Sequence, residues 1–269
     1  MIRGVIAGGF DRSIVGRTAH RPWPMPASPW LMTQSWHDLL FAHWRVDGSQ
    51  LRSVVPAPFE IDLFEGEAWL GVVPFYMTNV GVRAVPAVPW LSSFPELNVR
   101  TYVRVGDRPG VYFFSLDAGR RLAVATARAL LNLPYHFAAF RLDSRRERVG
   151  YRCDRQARRP AMFEAEYGPV GAPFAAARGS LEYFLTERYC LYHRSRRGHP
   201  YRLEIQHPAW SLQPARAEIA ANTMAAASDV TIDGPPALLH FSARQDVIAW
   251  APERLRFSDR RCDPAVSAR

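Results

Sequence analysis

The sequence predicts a mainly β protein, folded as a closed or nearly closed antiparallel β-barrel with few helices. About a dozen segments alternate apolar and polar side chains with the two-residue period of a strand. Turn-forming Gly, Pro and Asp residues separate these segments. Only one segment repeats apolar residues at helical spacing. Closure into a barrel is expected because so many strands would otherwise leave exposed edges.

The chain is expected to form one domain with a tail at each end. Residues 1–29 end in a stretch with proline at four of its last eight positions, which forbids regular pairing and predicts a disordered or extended lead-in. The first nineteen of these residues are expected to be dispensable. The barrel domain is expected over residues 30–255, and residues 256–269 are expected to form a flexible tail.

The first half of the domain begins with a strand over residues 34–46. Its alternation places Trp36 on one face and His37, Leu39 and Phe41 on the other. Asp47 is predicted to cap a short helix that ends before Pro56. Two further strands are predicted at residues 59–62 and 65–77, followed by a proline-rich loop at 81–95 that is long enough to cover a site.

A hairpin follows, with strands at residues 96–105 and 111–116. Asp117 is predicted to be the N-cap of the main amphipathic helix, whose apolar residues recur from Leu122 to Leu133 until Pro134 ends it. The remaining alternating segments predict strands at 135–142, 149–153, 186–193, 201–207, 213–219, 238–244 and 247–250.

The charge of the chain comes from arginine, because all 34 basic residues are arginines and lysine is absent. A side-chain Schiff base therefore has no candidate. The formal net charge is +9, and seven arginines crowd residues 145–159, where Glu147 and Asp154 interrupt them. Since a nucleic-acid footprint needs an uninterrupted basic face, a solvated surface is the favoured interpretation and no specific nucleic-acid partner is expected.

The spacing of the cysteines and histidines argues against disulfide bonds and metal sites. The three cysteines are too far apart for a disulfide framework or a zinc knuckle, and the eight histidines show no ligand spacing. No metal and no cofactor are therefore expected. No run approaches the ~20 apolar residues of a membrane helix, so a cytoplasmic protein without a membrane partner is expected.

One predicted strand carries a polar array on a single face. Alternation places Glu96, Asn98, Arg100 and Tyr102 together, opposite the apolar Leu97 and its neighbours. If this face points outward, the array is simply solvated. If it points into a barrel, these groups must satisfy each other or a ligand, because an unpaired buried charge costs several kcal/mol or more. The pattern alone leaves both alternatives open.

Several strings of the sequence resemble a known family. From about residue 30 to residue 252, the strings HDLLFAHW, FPELNVRTYV, FFSLDA, LTERYCLY, HPAWSLQPA and LHFSARQDVIAW are similar to those of the YqjF-like family of uncharacterised bacterial proteins. That family is in turn distantly similar to acetoacetate decarboxylase. The resemblance implies an acetoacetate decarboxylase-like fold, a cone-like β-barrel around a closed cavity.

The resemblance also implies which site residues are kept. The two lysines of the decarboxylase fall on Tyr135 and His136, one glutamate falls on Glu96 and is kept, and the N-terminal arginine falls near His37. A second glutamate falls near Val73 and is lost. The resemblance thus implies that the cavity persists without imine chemistry.

Two classes of function fit these observations, and whether the protein is an enzyme stays open. The first is binding of a small carboxylate or carbonyl compound in the barrel by a lysine-free acid–base lyase, hydratase or isomerase; the second is a non-catalytic binding or sensing barrel. The expected catalytic residues are Glu96 and His136, and the expected substrate-binding residues are Arg100, Asn98, Tyr102, Tyr135 and His37. We expect Glu96, Arg100 and His136 to meet in one cavity. A homo-oligomer and the identity of the ligand are left open.

Overall fold

The computed structural model describes residues 9–83, 92–131, 133–145, 148–195 and 197–257. Over these residues the protein is mainly β, with fourteen strands and three α-helices. The elements, in chain order, are β1 (Met32–Val46), α1 (Gly48–Val54), β2 (Glu60–Ile61), β3 (Ala68–Val82), β4 (Phe94–Val105), β5 (Arg108–Ala118), α2 (Arg121–Leu131), β6 (Tyr135–Phe137), β7 (Ala139–Arg145), β8 (Arg148–Arg155), β9 (Ala161–Pro169), α3 (Leu181–Thr186), β10 (Cys190–Arg194), β11 (Pro200–Gln206), β12 (Gln213–Asn222), β13 (Leu238–Ala249) and β14 (Glu253–Arg254). Short 3-10 turns lie at Arg12–Val15 and Ala226–Ser228.

All the described strands belong to one sheet. Its order is β14, β11, β10, β5, β4, β3, β1, β13, β12, β9, β8, β7, with β2 added beside β4 and β6 beside β5. Strand β11 also pairs with β13, through Ile205 with Ala249 and Gln206 with Ile248. Pairing therefore runs from β11 through β10, β5, β4, β3, β1 and β13 and returns to β11, while β12, β9, β8 and β7 extend the sheet beyond this ring.

Two of the pairings are parallel, whereas the sequence predicted an antiparallel sheet throughout. Strand β6 pairs with β5 in parallel, and so does β10. For β6 the reason lies in the connection, because the segment that contains α2 returns the chain to the level of Leu116, so β6 runs beside the last residues of β5 in the same direction.

The two faces of β4 are buried in different surroundings. Leu97 and Val99 belong to an apolar cluster that also contains Tyr151, Phe163 and Tyr167 from the extension of the sheet. The extension therefore covers the apolar face of β4. On the opposite face, Glu96, Asn98 and Arg100 are also buried and line an internal cavity, so the polar array is not a solvated surface.

A β-bulge in β1 changes which residues share a face. Asp38 has φ +51°, and the register between β1 and β3 shifts between His37 and Ala42. Trp36, Leu39 and Phe41 all line the interior. The predicted separation of Trp36 from Leu39 and Phe41 is therefore wrong, because one extra residue at a bulge inverts the alternation that follows it.

Of the two predicted helix caps, one is confirmed and one is wrong. The carboxylate of Asp47 accepts a hydrogen bond from the backbone N–H of Ser49 at 2.8 Å, at the start of α1. Asp117 lies instead in β5, fully buried, where it forms an ion pair with Arg155 at 2.7 Å. Helix α2 begins at Arg121, beyond the reach of an Asp117 cap.

The segment that precedes β1 packs on the sheet over its described part. Ile14 is fully buried in a cluster with Ile248 and Trp250. The guanidinium of Arg21 is buried and pairs with Glu204 at 3.1 Å. Residues 9–29 therefore lie against the sheet through isolated anchors, which give no periodic signal in the sequence. Residues 1–8 and 258–269 of the predicted tails, and 84–91 of the predicted loop, lie outside the described residues.

The arginine-rich stretch lies on the β7–β8 hairpin and the loop that follows it. Arg148 pairs with Glu166 and Arg152 with Glu164, both across the ladder to β9. These acids neutralise much of the basic run, which supports its interpretation as a solvated surface. Among the described helices, none has the length and apolar character needed to cross a membrane.

Candidate functional site

The polar face of β4 lines an internal cavity. The cavity has room of about 80 Å³ for the centres of water-sized molecules, several times the ~10–15 Å³ that a single water needs. Apolar side chains make most of the wall, and aromatic rings are prominent among them: Trp36, Phe41, Phe75, Phe113 and Trp210. The described polar residues on the wall are Gln34, Glu96, Asn98, Arg100, Tyr135, Thr186, Arg188 and His207. Charged contacts are strong in such surroundings because little water screens them.

Arg100 is the most informative of the polar residues on the wall. Its side chain is 8% exposed, and Nη2 donates to the backbone carbonyl of Leu185 at 3.2 Å and to the hydroxyl of Tyr102 at 3.4 Å. Its Nε has no hydrogen-bond partner, and no carboxylate of the described residues pairs with it. The guanidinium carbon lies 5.4 Å from the ring centroid of Phe41. Arg100 is therefore a buried cation whose charge the described protein groups do not neutralise.

Glu96 is buried two positions before Asn98 on the same face. The hydroxyl of Tyr135 interacts with its carboxyl, and Oε2 has no hydrogen-bond partner. Burial raises the pKa of Glu96 to about 8; the hydroxyl of Tyr135 opposes this rise, and the nearby carboxylate of Asp117 adds a smaller raising effect. At neutral pH the Glu96 side chain is therefore mainly a neutral acid that can donate a proton.

Three successive inward positions of β4 each carry an unsatisfied buried atom. These atoms are Oε2 of Glu96, Oδ1 of Asn98 and Nε of Arg100. The large majority of buried polar side-chain atoms in native proteins have a hydrogen-bond partner. An array of donors and acceptors that lacks partners, aimed into a cavity, is the arrangement expected of a ligand site.

The structure adds wall residues that sequence reasoning did not select. Arg188 and Thr186 come from the end of α3 and the turn after it, and His207 follows β11. Nη1 of Arg188 pairs with Asp62 at 2.6 Å. Burial lowers the pKa of His207. The signal was present, since these residues lie in the strings LTERYCLY and HPAWSLQPA that carry the family resemblance.

His136 does not reach the cavity. It follows Tyr135 in β6, so the two side chains leave the strand on opposite faces. Tyr135 lines the cavity, whereas His136 lines an outer cleft with Arg155 and Arg158. Burial and the charge of Arg155 lower the pKa of His136 to about 4. The expectation that Glu96, Arg100 and His136 meet in one cavity is therefore not met for His136.

The other two expected binding residues lie outside the cavity wall. His37 points to the outer side of β1, where its Nε2 lies 2.8 Å from Oγ1 of Thr78. Tyr102 is fully buried behind Arg100 and contacts it through its hydroxyl. Glu96, Asn98, Arg100 and Tyr135 are thus brought together, Tyr102 supports them from behind, and His37 is separated from them. No cluster of three or more potential metal-ligating side chains occurs in the part of the chain that the structure describes.

The fold is similar to that of acetoacetate decarboxylase-like proteins of known structure. The enduracididine biosynthesis enzyme MppR in complex with pyruvate superposes with a TM-score of 0.59 at 11% identity, covering 87% of this chain and 93% of MppR. An acetoacetate decarboxylase superposes with a TM-score of 0.57 at 17% identity, covering 91% and 98%. The enzyme of that name from Legionella pneumophila gives 0.56 at 15% identity, covering 93% and 98%. At these identities the likeness shows the fold alone.

The chain belongs to the DUF2071 family of uncharacterized conserved proteins, whose family model matches residues 33–246. The uncharacterized protein YqjF of Bacillus subtilis strain 168 is 45% identical over 226 residues, which cover 84% of this chain and 93% of YqjF. The family resemblance read from the sequence strings is thereby confirmed.

Proposed function

We propose that this protein binds a small organic molecule with a carboxylate or carbonyl group in the cavity on the inward face of β4. The observation that carries the proposal is the buried guanidinium of Arg100, which lines the cavity without an acidic partner among the described residues. Leaving a buried charge uncompensated is strongly unfavourable. A ligand carboxylate offsets that cost, and the planar fork of arginine suits it.

We further infer that the ring of strands β11, β10, β5, β4, β3, β1 and β13 is the closed barrel expected from the sequence. The pairing of β11 with β13 supports this inference, although it involves two residue pairs and two neighbours in the ring run parallel. A closed wall would keep bulk water from the polar array and strengthen its contacts with a ligand.

The chemistry that we propose is proton transfer by Glu96, in a lysine-free lyase, hydratase or isomerase. A carboxyl that keeps its proton up to pH about 8 is suited to act as an acid at neutral pH and as a base once the proton has left. Tyr135 orients this carboxyl through its hydroxyl. His136 is not part of the proposal because it lies in the outer cleft. If Glu96 transfers no proton, the same polar residues would bind a ligand in a non-catalytic binding or sensing protein.

Calorimetric titration with pyruvate, the ligand in one of the related structures, tests the binding site. Wild type and Arg216→Met, a change at an exposed arginine of β12, should bind pyruvate alike. Arg100→Met should bind at least about tenfold more weakly, the equivalent of about 1.4 kcal/mol. Its melting temperature should not fall, since the variant removes an uncompensated buried charge. Equal affinity in all three proteins, or no binding to wild type, would overturn the proposal.

Proton transfer is tested separately by exchange of the pyruvate methyl protons in heavy water, followed by NMR. Wild type should accelerate the exchange and Glu96→Gln should not, because an amide cannot shuttle the proton. If both proteins bind pyruvate and neither accelerates exchange, the protein is a binding or sensing protein rather than an enolising enzyme.

A further inference from the structure

Two buried arginines line the cavity, and the described acids pair with only one of them. The ion pair of Arg188 with Asp62 is 2.6 Å long, and both side chains are buried, with 5% and 8% exposed. Arg100 has no such partner among the described residues. The two guanidinium carbons lie 5.7 Å and 5.1 Å from the ring centroid of Tyr102, so both charges belong to the same end of the cavity.

The other ionisable groups on the wall carry no charge at neutral pH. Glu96 keeps its proton because its pKa is raised to about 8. Burial raises the pKa of Tyr135 and lowers that of His207, which keeps both neutral. Glu187 lies behind the wall, where its carboxylate accepts a hydrogen bond from the backbone N–H of Trp210 at 2.9 Å. Among the described residues of the wall, Arg100 is therefore the one positive charge that no carboxylate neutralises.

We propose that the cavity selects ligands with a single negative charge, and that Asp62 sets this limit by neutralising Arg188. The inference rests on the proposed binding function. A second carboxylate on the ligand would find Arg188 already paired and would otherwise face apolar wall or the neutral acid of Glu96. Burying an unpaired carboxylate is costly, so dianions bind more weakly than monoanions.

Asp62 is held firmly in this role. Its backbone N–H donates to the carbonyl of Tyr102 at 3.0 Å, and its second carboxylate oxygen pairs with Arg104 at 3.1 Å. The side chain of Arg104 is 45% exposed, so solvent screens its attraction to Asp62. The buried pair of Asp62 with Arg188 is therefore the stronger interaction. Asp62 does not itself line the cavity. It acts on the ligand through Arg188, as a residue that determines specificity.

Pyruvate and oxalate provide a matched pair of probes. They have the same number of non-hydrogen atoms and nearly the same shape, and at neutral pH pyruvate is a monoanion and oxalate a dianion. Wild type should bind oxalate at least about tenfold more weakly than pyruvate, a difference of about 1.4 kcal/mol. Asp62→Asn should shift the ratio toward oxalate by about tenfold or more, because it frees the charge of Arg188. Asp229→Asn, which breaks an exposed ion pair with Arg159, should leave the ratio unchanged.

The double variant Asp62→Asn with Arg188→Met tests the route of the effect. Since both partners of the buried pair become neutral, this variant avoids the stranded charge that could unfold Asp62→Asn. Its ratio of oxalate affinity to pyruvate affinity should return to that of wild type. Wild type that binds oxalate as tightly as pyruvate, or an oxalate gain that survives in the double variant, would contradict the inference and leave the proposed function intact. Wild type that binds neither probe would instead remove the proposed function.

Discussion

The hydroxyl of Tyr102 lies 2.6 Å from Nε2 of His43, behind Arg100 and away from solvent. Arg100 donates to the same hydroxyl oxygen, so the Tyr102 hydroxyl links the guanidinium to the His43 ring. Burial and the charge of Arg100 hold the pKa of His43 well below its ordinary value, which keeps the ring neutral. Gly71 makes room for this arrangement, because a Cβ there would lie 3.2 Å from the His43 ring and 3.4 Å from Cγ of Arg100.

Tyr102→Phe is expected to destabilise the protein by about 1–3 kcal/mol, since it leaves Nε2 of His43 buried without a partner. It should also weaken pyruvate binding, because Arg100 loses one of the two contacts that orient its guanidinium. Urea unfolding and calorimetry measure the two effects. Tyr112→Phe is the control, since the hydroxyl of Tyr112 has no hydrogen bond to the described residues, and equal stability of the two variants would contradict the expectation.

Glu96 should make the protein less stable as pH rises. The folded state keeps the Glu96 proton up to pH about 8, whereas the unfolded chain releases it near the ordinary value of 4.5. Between these values the folded state binds more protons, so the free energy of unfolding falls with rising pH, by at most about 1.4 kcal/mol per pH unit from this group. Above pH about 8 both states are ionised and the contribution of Glu96 levels off.

The measurement compares urea unfolding of wild type and Glu96→Gln between pH 6.5 and 8. Below this range, histidines with lowered pKa values, such as His136 and His193, give a slope of the opposite sign. Within it, wild type should lose stability relative to Glu96→Gln. Parallel curves for the two proteins would show that Glu96 is already ionised in the folded state.

The segment before β1 is expected to contribute to stability through Ile14. This side chain is fully buried against Ile248 and Trp250, so Ile14→Ala should cost about 2–5 kcal/mol. The neighbouring Val15 is 40% exposed, and Val15→Ala should change stability by about 0.5 kcal/mol or less. Thermal or urea unfolding measures the stability of the two variants. A similarly small loss in both would show that the segment before β1 does not contribute to stability.

Most strands were predictable because each has one face in a core. No strand was predicted at the two-residue β14 or at β9, although Phe163, Ala165 and Tyr167 alternate with Glu164 and Glu166 on β9. Its two acids pair with arginines of the neighbouring strand β8. The signal was the same two-residue alternation that predicted the other strands.

The polar face of β4 was predictable from the sequence, and its direction was not. Alternation places Glu96, Asn98 and Arg100 on one face of β4. That this face lines the cavity follows only from the packing of the extension against Leu97 and Val99 on the other face. Alternation also puts Tyr135 and His136 on opposite faces of β6, whereas the resemblance placed both at the site. The structure agrees with the alternation. The pairing of Asp62 with Arg188 joins residues 126 positions apart and leaves no local pattern.

Imine formation with a carbonyl ligand is expected to be absent from the cavity, even if pyruvate binds there. The chain has no lysine, and Tyr135 occupies a cavity position where an amine would be needed. Incubation with pyruvate and borohydride, followed by peptide mapping with mass spectrometry, should find no reduced adduct on any side chain. An adduct confined to the N-terminal peptide reports the α-amino group and is subtracted by repeating the experiment on protein whose amine has been acetylated. An adduct on an internal peptide would contradict the expectation and would require a nucleophile other than lysine. Together with pyruvate binding that depends on Arg100, the absence of an adduct would establish that this cavity holds its carbonyl ligand by hydrogen bonds and charge alone.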